Sequence, residues 1–252
     1  MFLFFIAIVA FALCWTSFLG ATAYRVLHKK FVFAPRSMCP GCGNKIAWYD
    51  LFPVISWFIL KGKCRACKGL ISWLYPATEL VGAVALSVIA IQHVQLHGLT
   101  LLSGVIGKLL FVSALIIVTR TDLEAMIIPR QFSLFLVPLW LLFSPTTVTP
   151  YGLVESGIGA FVGYAVPWLF AVCFKLIRKK QGLGEGDSEL LCMVGAFLGP
   201  VGVMRTLFIG AISGLVAGVT YLGATGKSRS TYIPFAPFLA LGALITLFFG
   251  LY

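Results

Sequence analysis

Apolar residues fall in long runs along this chain, at 2–26, 75–91, 99–118, 127–143, 153–177, 190–198, 202–222 and 233–251. A membrane-spanning helix needs about 20 mostly apolar residues. The pattern therefore predicts about eight transmembrane helices, and the sixth reaches full length only if it begins near Asp187 and runs into Pro200. Hydrocarbon offers no partner to backbone polar groups, so each run is expected to be helical. The many glycines of the last three runs fit close helix packing, or are simply tolerated there. The one sizeable polar stretch is 28–74, which divides the chain into a first helix (1–27), a soluble segment (28–74) and a membrane domain (75–252).

Composition agrees. Of 252 residues, 60% are hydrophobic and 11% charged, against about 25% charged in a soluble domain. A mean hydropathy of +1.01 excludes an ordinary soluble enzyme, a disordered chain and a nucleic-acid-binding domain. The net charge of +11 is explained by where the basic residues sit. Nine Lys/Arg lie between Arg25 and Lys68, and eight more lie in the short loops near 120–130, 175–180 and 227–229. The intervening loops at 92–98 and 144–150 have none, and only Lys108 and Arg205 stand apart. The positive-inside rule makes the basic side cytosolic and both termini external. Attraction to anionic lipid headgroups is a secondary expectation, with no nucleic acid as partner. The first run lacks a basic stretch before it and is too long for the apolar core of a signal peptide.

The soluble segment carries Cys39-Pro-Gly-Cys42 and, after 21 intervening residues, Cys64-Arg-Ala-Cys67. Two such knuckles can present four thiolates in a tetrahedron, the arrangement of a structural zinc ribbon. A pair of unrelated turns with reduced thiols is the alternative. A reducing cytosol argues against disulfides. Lys61, Lys63, Arg65 and Lys68 would offset the negative charge of a four-thiolate zinc centre. Trp48, Trp57 and Trp73 flank this segment and suit an interfacial anchor.

Only eight acids occur: Asp50, Glu79, Asp122, Glu124, Glu155, Glu185, Asp187 and Glu189. Asp122 ends the third run and Asp187 opens the sixth, which puts both at the cytosolic membrane surface. Two carboxylates brought together share a proton, and one can then activate water while the other polarises a peptide carbonyl. The glycines before Asp187 would let an extended substrate come close. From these residues alone, Asp187 as a helix cap and Asp122 as a loop end remain equally open. The acids Glu185, Asp187 and Glu189 either attract a basic peptide or form a solvated loop. A transporter or a zinc-ribbon scaffold are the competing classes; no internal repeat favours the first.

The residues resemble a known family, the type IV prepilin peptidases of the GxGD aspartyl class. The resemblance runs through Ser17-Phe-Leu-Gly20 and Arg25, the two Cys-x-x-Cys knuckles, Pro53-Val-Ile-Ser-Trp57, and Tyr75-Pro-Ala-Thr-Glu79. It continues through Asp122-Leu-Glu-Ala-Met-Ile-Ile-Pro129, Gly184-Glu-Gly-Asp187, Gly195-Ala-Phe-Leu-Gly199 and Ile233-Pro-Phe-Ala-Pro-Phe238. It implies a multi-pass enzyme of the bacterial inner membrane, with periplasmic termini, that removes the leader of type IV prepilins or pseudopilins after a glycine. Asp122 and Asp187 match the catalytic pair. Members with the cysteine segment also methylate the new N-terminal residue with S-adenosylmethionine, for which Glu79 is a candidate and a helix N-terminal charge the bland alternative. Arg130 and Glu189 depart from the family pattern, which usually has Asp or Asn and Lys at those places. Glu189 adds negative charge beside Asp187 that Arg130 would offset.

Overall fold

The computed structural model describes residues 2–32, 36–97, 102–147, 152–179, 184–225 and 233–249. Among these it contains only helices, turns and two isolated bridges. The helices are α1 (Phe2–Leu27), α2 (Ile55–Ile59), α3 (Leu74–His97), α4 (Leu102–Ala125), α5 (Val137–Thr147), α6 (Leu153–Arg178), α7 (Glu185–Thr225) and α8 (Ala236–Phe248). The chain forms two compact units, Met1–Leu99 and Thr100–Tyr252.

In the first unit α1 packs along α3. Thr16 Oγ1 donates to the Glu79 carbonyl at 3.1 Å, so a polar group in an apolar helix is satisfied across the pair. The polar segment between them holds α2 and the cysteine knuckles.

The second unit is built around α7. Residues Leu190–Leu198 are buried on every side, which is why this stretch reads as apolar throughout with no polar face. The sixth and seventh apolar runs are the two helical halves of α7, which meet at a break at Gly199 (φ 71°, ψ 179°), just before the Pro200 where the sixth run was expected to end. Pro200 lacks the N–H that would continue the ladder, and only glycine adopts that φ cheaply. α6 lies against the first half of α7 so closely that a β-carbon on Gly195 would collide with the Gly159 backbone. Glycine here replaces side-chain packing with backbone contact. The fourth run is helical only from Val137; before it come 3-10 turns at Arg130–Phe132 and Leu134–Leu136. Pro138 then occupies the first turn of α5, where a missing N–H costs nothing.

At the centre, the rings of Phe111 (α4) and Phe197 (α7) stack at 4.2 Å, and Trp140 (α5) meets them edge-on at 5.9 and 5.1 Å. All three are fully buried. Edge-to-face and offset contacts of this kind add attraction beyond area. Four helices among the described residues are long and apolar enough to span a bilayer: α1, α3, α6 and α7. α5 and α8, with 11 and 13 residues, are short for a span. His93 is buried within α3.

Candidate active site and metal centre

Asp122 stands in the last turn of α4 and Asp187 in the first turn of α7, and both are buried. Their carboxylates are close enough for the charge of one to act on the other. Each is also held by backbone. Ala236 N–H, at the start of α8, donates to Asp122 Oδ2 at 3.0 Å. Gly184 N–H donates to Asp187 Oδ2 at 3.3 Å. The Ala236 donor escapes sequence reading, although Pro234 and Pro237 bracket the place where α8 must begin. Three separate elements thus converge on two buried carboxylates whose charges act on each other.

The surroundings of Asp187 differ from expectation in two ways. Glu189 is buried with it rather than solvated, which leaves Glu185 as the exposed acid of that turn. The space beside Gly186, expected to admit substrate backbone, is filled by Ile128: a β-carbon on Gly186 would lie 2.9 Å from Ile128 Cβ. Arg130 and Glu189 meet, with Arg130 Nε donating to Glu189 Oε1 at 2.8 Å. Arg120, buried two residues before Asp122, pairs with Glu124 at 3.2 Å.

In the first unit the sulfurs of Cys39, Cys42, Cys64 and Cys67 all lie within 4.8 Å of one another, with Cys39 and Cys67 at 3.9 Å. Zinc–sulfur bonds of about 2.3 Å give a tetrahedron with edges of about 3.8 Å, so the four thiols fit one zinc ion. The same turn is built twice. Gly43 N–H returns to the Cys39 carbonyl and Lys68 N–H to the Cys64 carbonyl, each at 2.9 Å. The residue after each second cysteine is left-handed, Gly43 at φ 69° and Lys68 at φ 59°. Backbone N–H groups of Cys42 and Gly41 favour the Cys39 thiolate and lower its pKa to about 7. Arg65, inside the second knuckle, clamps Asp50 through two hydrogen bonds of 2.8 and 2.7 Å and holds its carboxyl below the usual range. Trp57 packs on Gly62 and donates to the Ile71 carbonyl at 3.1 Å, which helps fix the second knuckle. Trp48 and Trp73 are exposed.

Glu79 reaches into the same segment. Its Oε2 accepts from Val54 N–H at 2.8 Å. Val54 has φ 62° and ψ −53°, and Ile55 N–H bonds the Pro53 carbonyl at 2.5 Å. This is a γ-turn of the strained kind, on a β-branched residue that avoids positive φ. The Glu79 carboxylate holds that turn in place.

Comparison with known proteins fits this arrangement. Residues 10–93 match the family model of the bacterial peptidase A24 N-terminal domain, and residues 109–219 match that of the type IV leader peptidase family. A prepilin leader peptidase/N-methyltransferase of Aeromonas salmonicida is 36% identical over 220 residues, covering 87% of this chain and 73% of that protein. The chain belongs to the type IV leader peptidase family. Relatives of the same name in Aeromonas hydrophila and Legionella pneumophila are 35% and 33% identical, each over 87% of this chain and 73% and 74% of their own lengths. No solved structure matches. In family terms, Asp122 and Asp187 fall within the residues matched by the peptidase model, and the four cysteines within those matched by the N-terminal model.

Proposed function

We propose that this chain removes the leader peptide of type IV prepilins or pseudopilins at the cytosolic membrane surface, cutting after a glycine, and then methylates the new N-terminus. The observation that carries the reading is that Asp122 and Asp187, 65 positions apart in sequence, are both buried, both held by backbone N–H groups, and near enough for the charge of one to act on the other. In this reading one carboxylate takes a proton from water, and the other, protonated, donates to the scissile carbonyl oxygen. The resulting tetrahedral intermediate collapses with proton return to the leaving amine. The pair acts and titrates as a unit, so neither residue is assigned a fixed role.

Cys39, Cys42, Cys64 and Cys67 would hold a structural zinc ion, whose contribution is to fold the 39–68 segment. S-adenosylmethionine would supply the methyl group. Glu79 stays a candidate for that site through its hold on the Val54 turn, which it would keep in shape beside the donor. The distribution of basic residues supports a multi-pass protein of the bacterial inner membrane with both termini periplasmic.

The test is incubation of the detergent-purified chain with a purified prepilin and S-adenosylmethionine, with products weighed by mass spectrometry. The expected product lacks the leader and carries one added methyl group. Leader loss without the methyl group would remove the second half of the proposal, and an intact precursor would remove the first.

A further inference from the structure

Two contacts join the chain that follows Asp122 to the chain that carries Asp187. α4 ends with Met126 N–H on the Asp122 carbonyl at 2.9 Å, and Met126 turns left-handed at φ 54°. Residues 127–129 then run without regular structure into the 3-10 turn Arg130–Phe132. Along this stretch Ile128 fills the space over Gly186, and Arg130 Nε reaches Glu189 Oε1 at 2.8 Å. The first contact falls one residue before Asp187 and the second two residues after it. The ion pair is asymmetric: Glu189 is 7% exposed and Arg130 61%. A carboxylate buried to that degree is costly unless it is paired, and Arg130 supplies the pairing charge from the open side.

We propose that the Ile128–Gly186 contact and the Arg130–Glu189 ion pair form a clasp that sets Asp122 against Asp187, with Arg130 and Glu189 as positioning residues for cleavage. This rests on the reading of Asp122 and Asp187 as the cleaving pair. The two ends of the ion pair are not equivalent. Removing Arg130 frees the 126–130 segment and also strands a buried negative charge two residues from Asp187. Removing the Glu189 charge frees the segment alone. Loss of Arg130 is therefore the more damaging, and loss of Glu189 relieves part of that damage.

The experiment measures kcat and KM on a purified prepilin, using the full chain in detergent. Small misplacements of reacting groups cost up to about 100-fold in rate. The expectation is a kcat lower by about 30-fold in Arg130→Ala, by about fivefold in Glu189→Gln, and again by about fivefold in the double variant, with KM moving less than about threefold. Arg130→Lys, which keeps the charge, stays within about threefold of wild type. Wild-type rates in Arg130→Ala, a loss confined to KM, or a double variant worse than either single one would overturn the clasp. A second arm needs no activity. Asp122→Cys/Asp187→Cys is treated in membranes with a short bis-maleimide, and the linked peptides are quantified by mass spectrometry. Adding Arg130→Ala should lower the yield severalfold, and an unchanged yield overturns the clasp. If wild type fails to cut prepilin while cross-linking still depends on Arg130, the clasp stands and the cleavage reading falls.

Discussion

The two candidate sites of this protein are assembled in opposite ways. The cysteine centre draws its four sulfurs from two copies of one local turn, each closed by a hydrogen bond four residues long. The aspartate pair draws on α4, α7 and the start of α8, elements spread from Asp122 to Ala236. A locally built site depends on its own loop and its metal. A site assembled from distant helices depends on packing, on what lies between Phe111, Trp140 and Phe197, and on glycines that let backbones meet. The two regions should therefore fail separately.

The largest expected effect tests that separation. Asp122→Asn or Asp187→Asn should lower prepilin cleavage by about 1,000-fold or more, since the acid–base pair is lost. Zinc content, measured by atomic emission, should stay at one ion per chain in both variants. The converse is metal removal. Stripping zinc with a chelator, or the double change Cys42→Ser/Cys67→Ser, should open the 39–68 segment to proteolysis while cleavage by the aspartates falls by less than about tenfold. Equal loss of cleavage in both experiments would merge the two regions into one.

Next in size is Gly186→Ala. Its new methyl group would lie 2.9 Å from Ile128 Cβ, on backbone that cannot yield without moving Asp187. Cleavage should fall by about tenfold or more, and Ile128→Gly, which removes that β-carbon, should restore part of it by making room. No recovery in the double variant would show that Gly186 is needed for some other reason.

The smallest effects lie in the cysteine segment. Gly43→Val forces a β-branched residue into φ 69° and should cost about 1–2 kcal/mol in the metal-bound segment, read as faster zinc release. Lys68→Gly, which gives the second knuckle the residue that the first already has, should slow zinc release or leave it unchanged. Asp50 adds a pH dependence. Arg65 holds its carboxyl below the usual range, so its contribution is present above the unfolded pKa, about 4, and is lost as pH falls below that. Asp50→Asn should remove this acid limb from the segment's proteolysis profile. An unaltered limb would mean that other acids cause it.

What was legible from sequence follows the same division. The knuckles are readable because their spacing is itself the geometry. The aspartates are readable because acids are scarce in an apolar chain and their places at run ends put them at one depth. Apolar runs located the helices, including the break between the sixth and seventh at Gly199–Pro200, but not the 3-10 turns that open the fourth run, because hydropathy does not report backbone φ and ψ. The Ala236 donor and the Ile128–Gly186 contact were not legible, since each joins residues more than 50 positions apart through backbone or apolar atoms that carry no signal in sequence. The Arg130–Glu189 pairing was legible in part, because their opposite charges depart together from the family pattern.

The most direct measurement is the cleavage rate of one prepilin by wild type, Asp122→Asn, Asp187→Asn and the double variant, all loaded with zinc. Residues that act as one unit are non-additive. Each single variant should therefore lose about 1,000-fold or more, and the double variant should be no slower than either. Substantial cleavage by either single variant, or losses that multiply in the double, would contradict a shared aspartate pair.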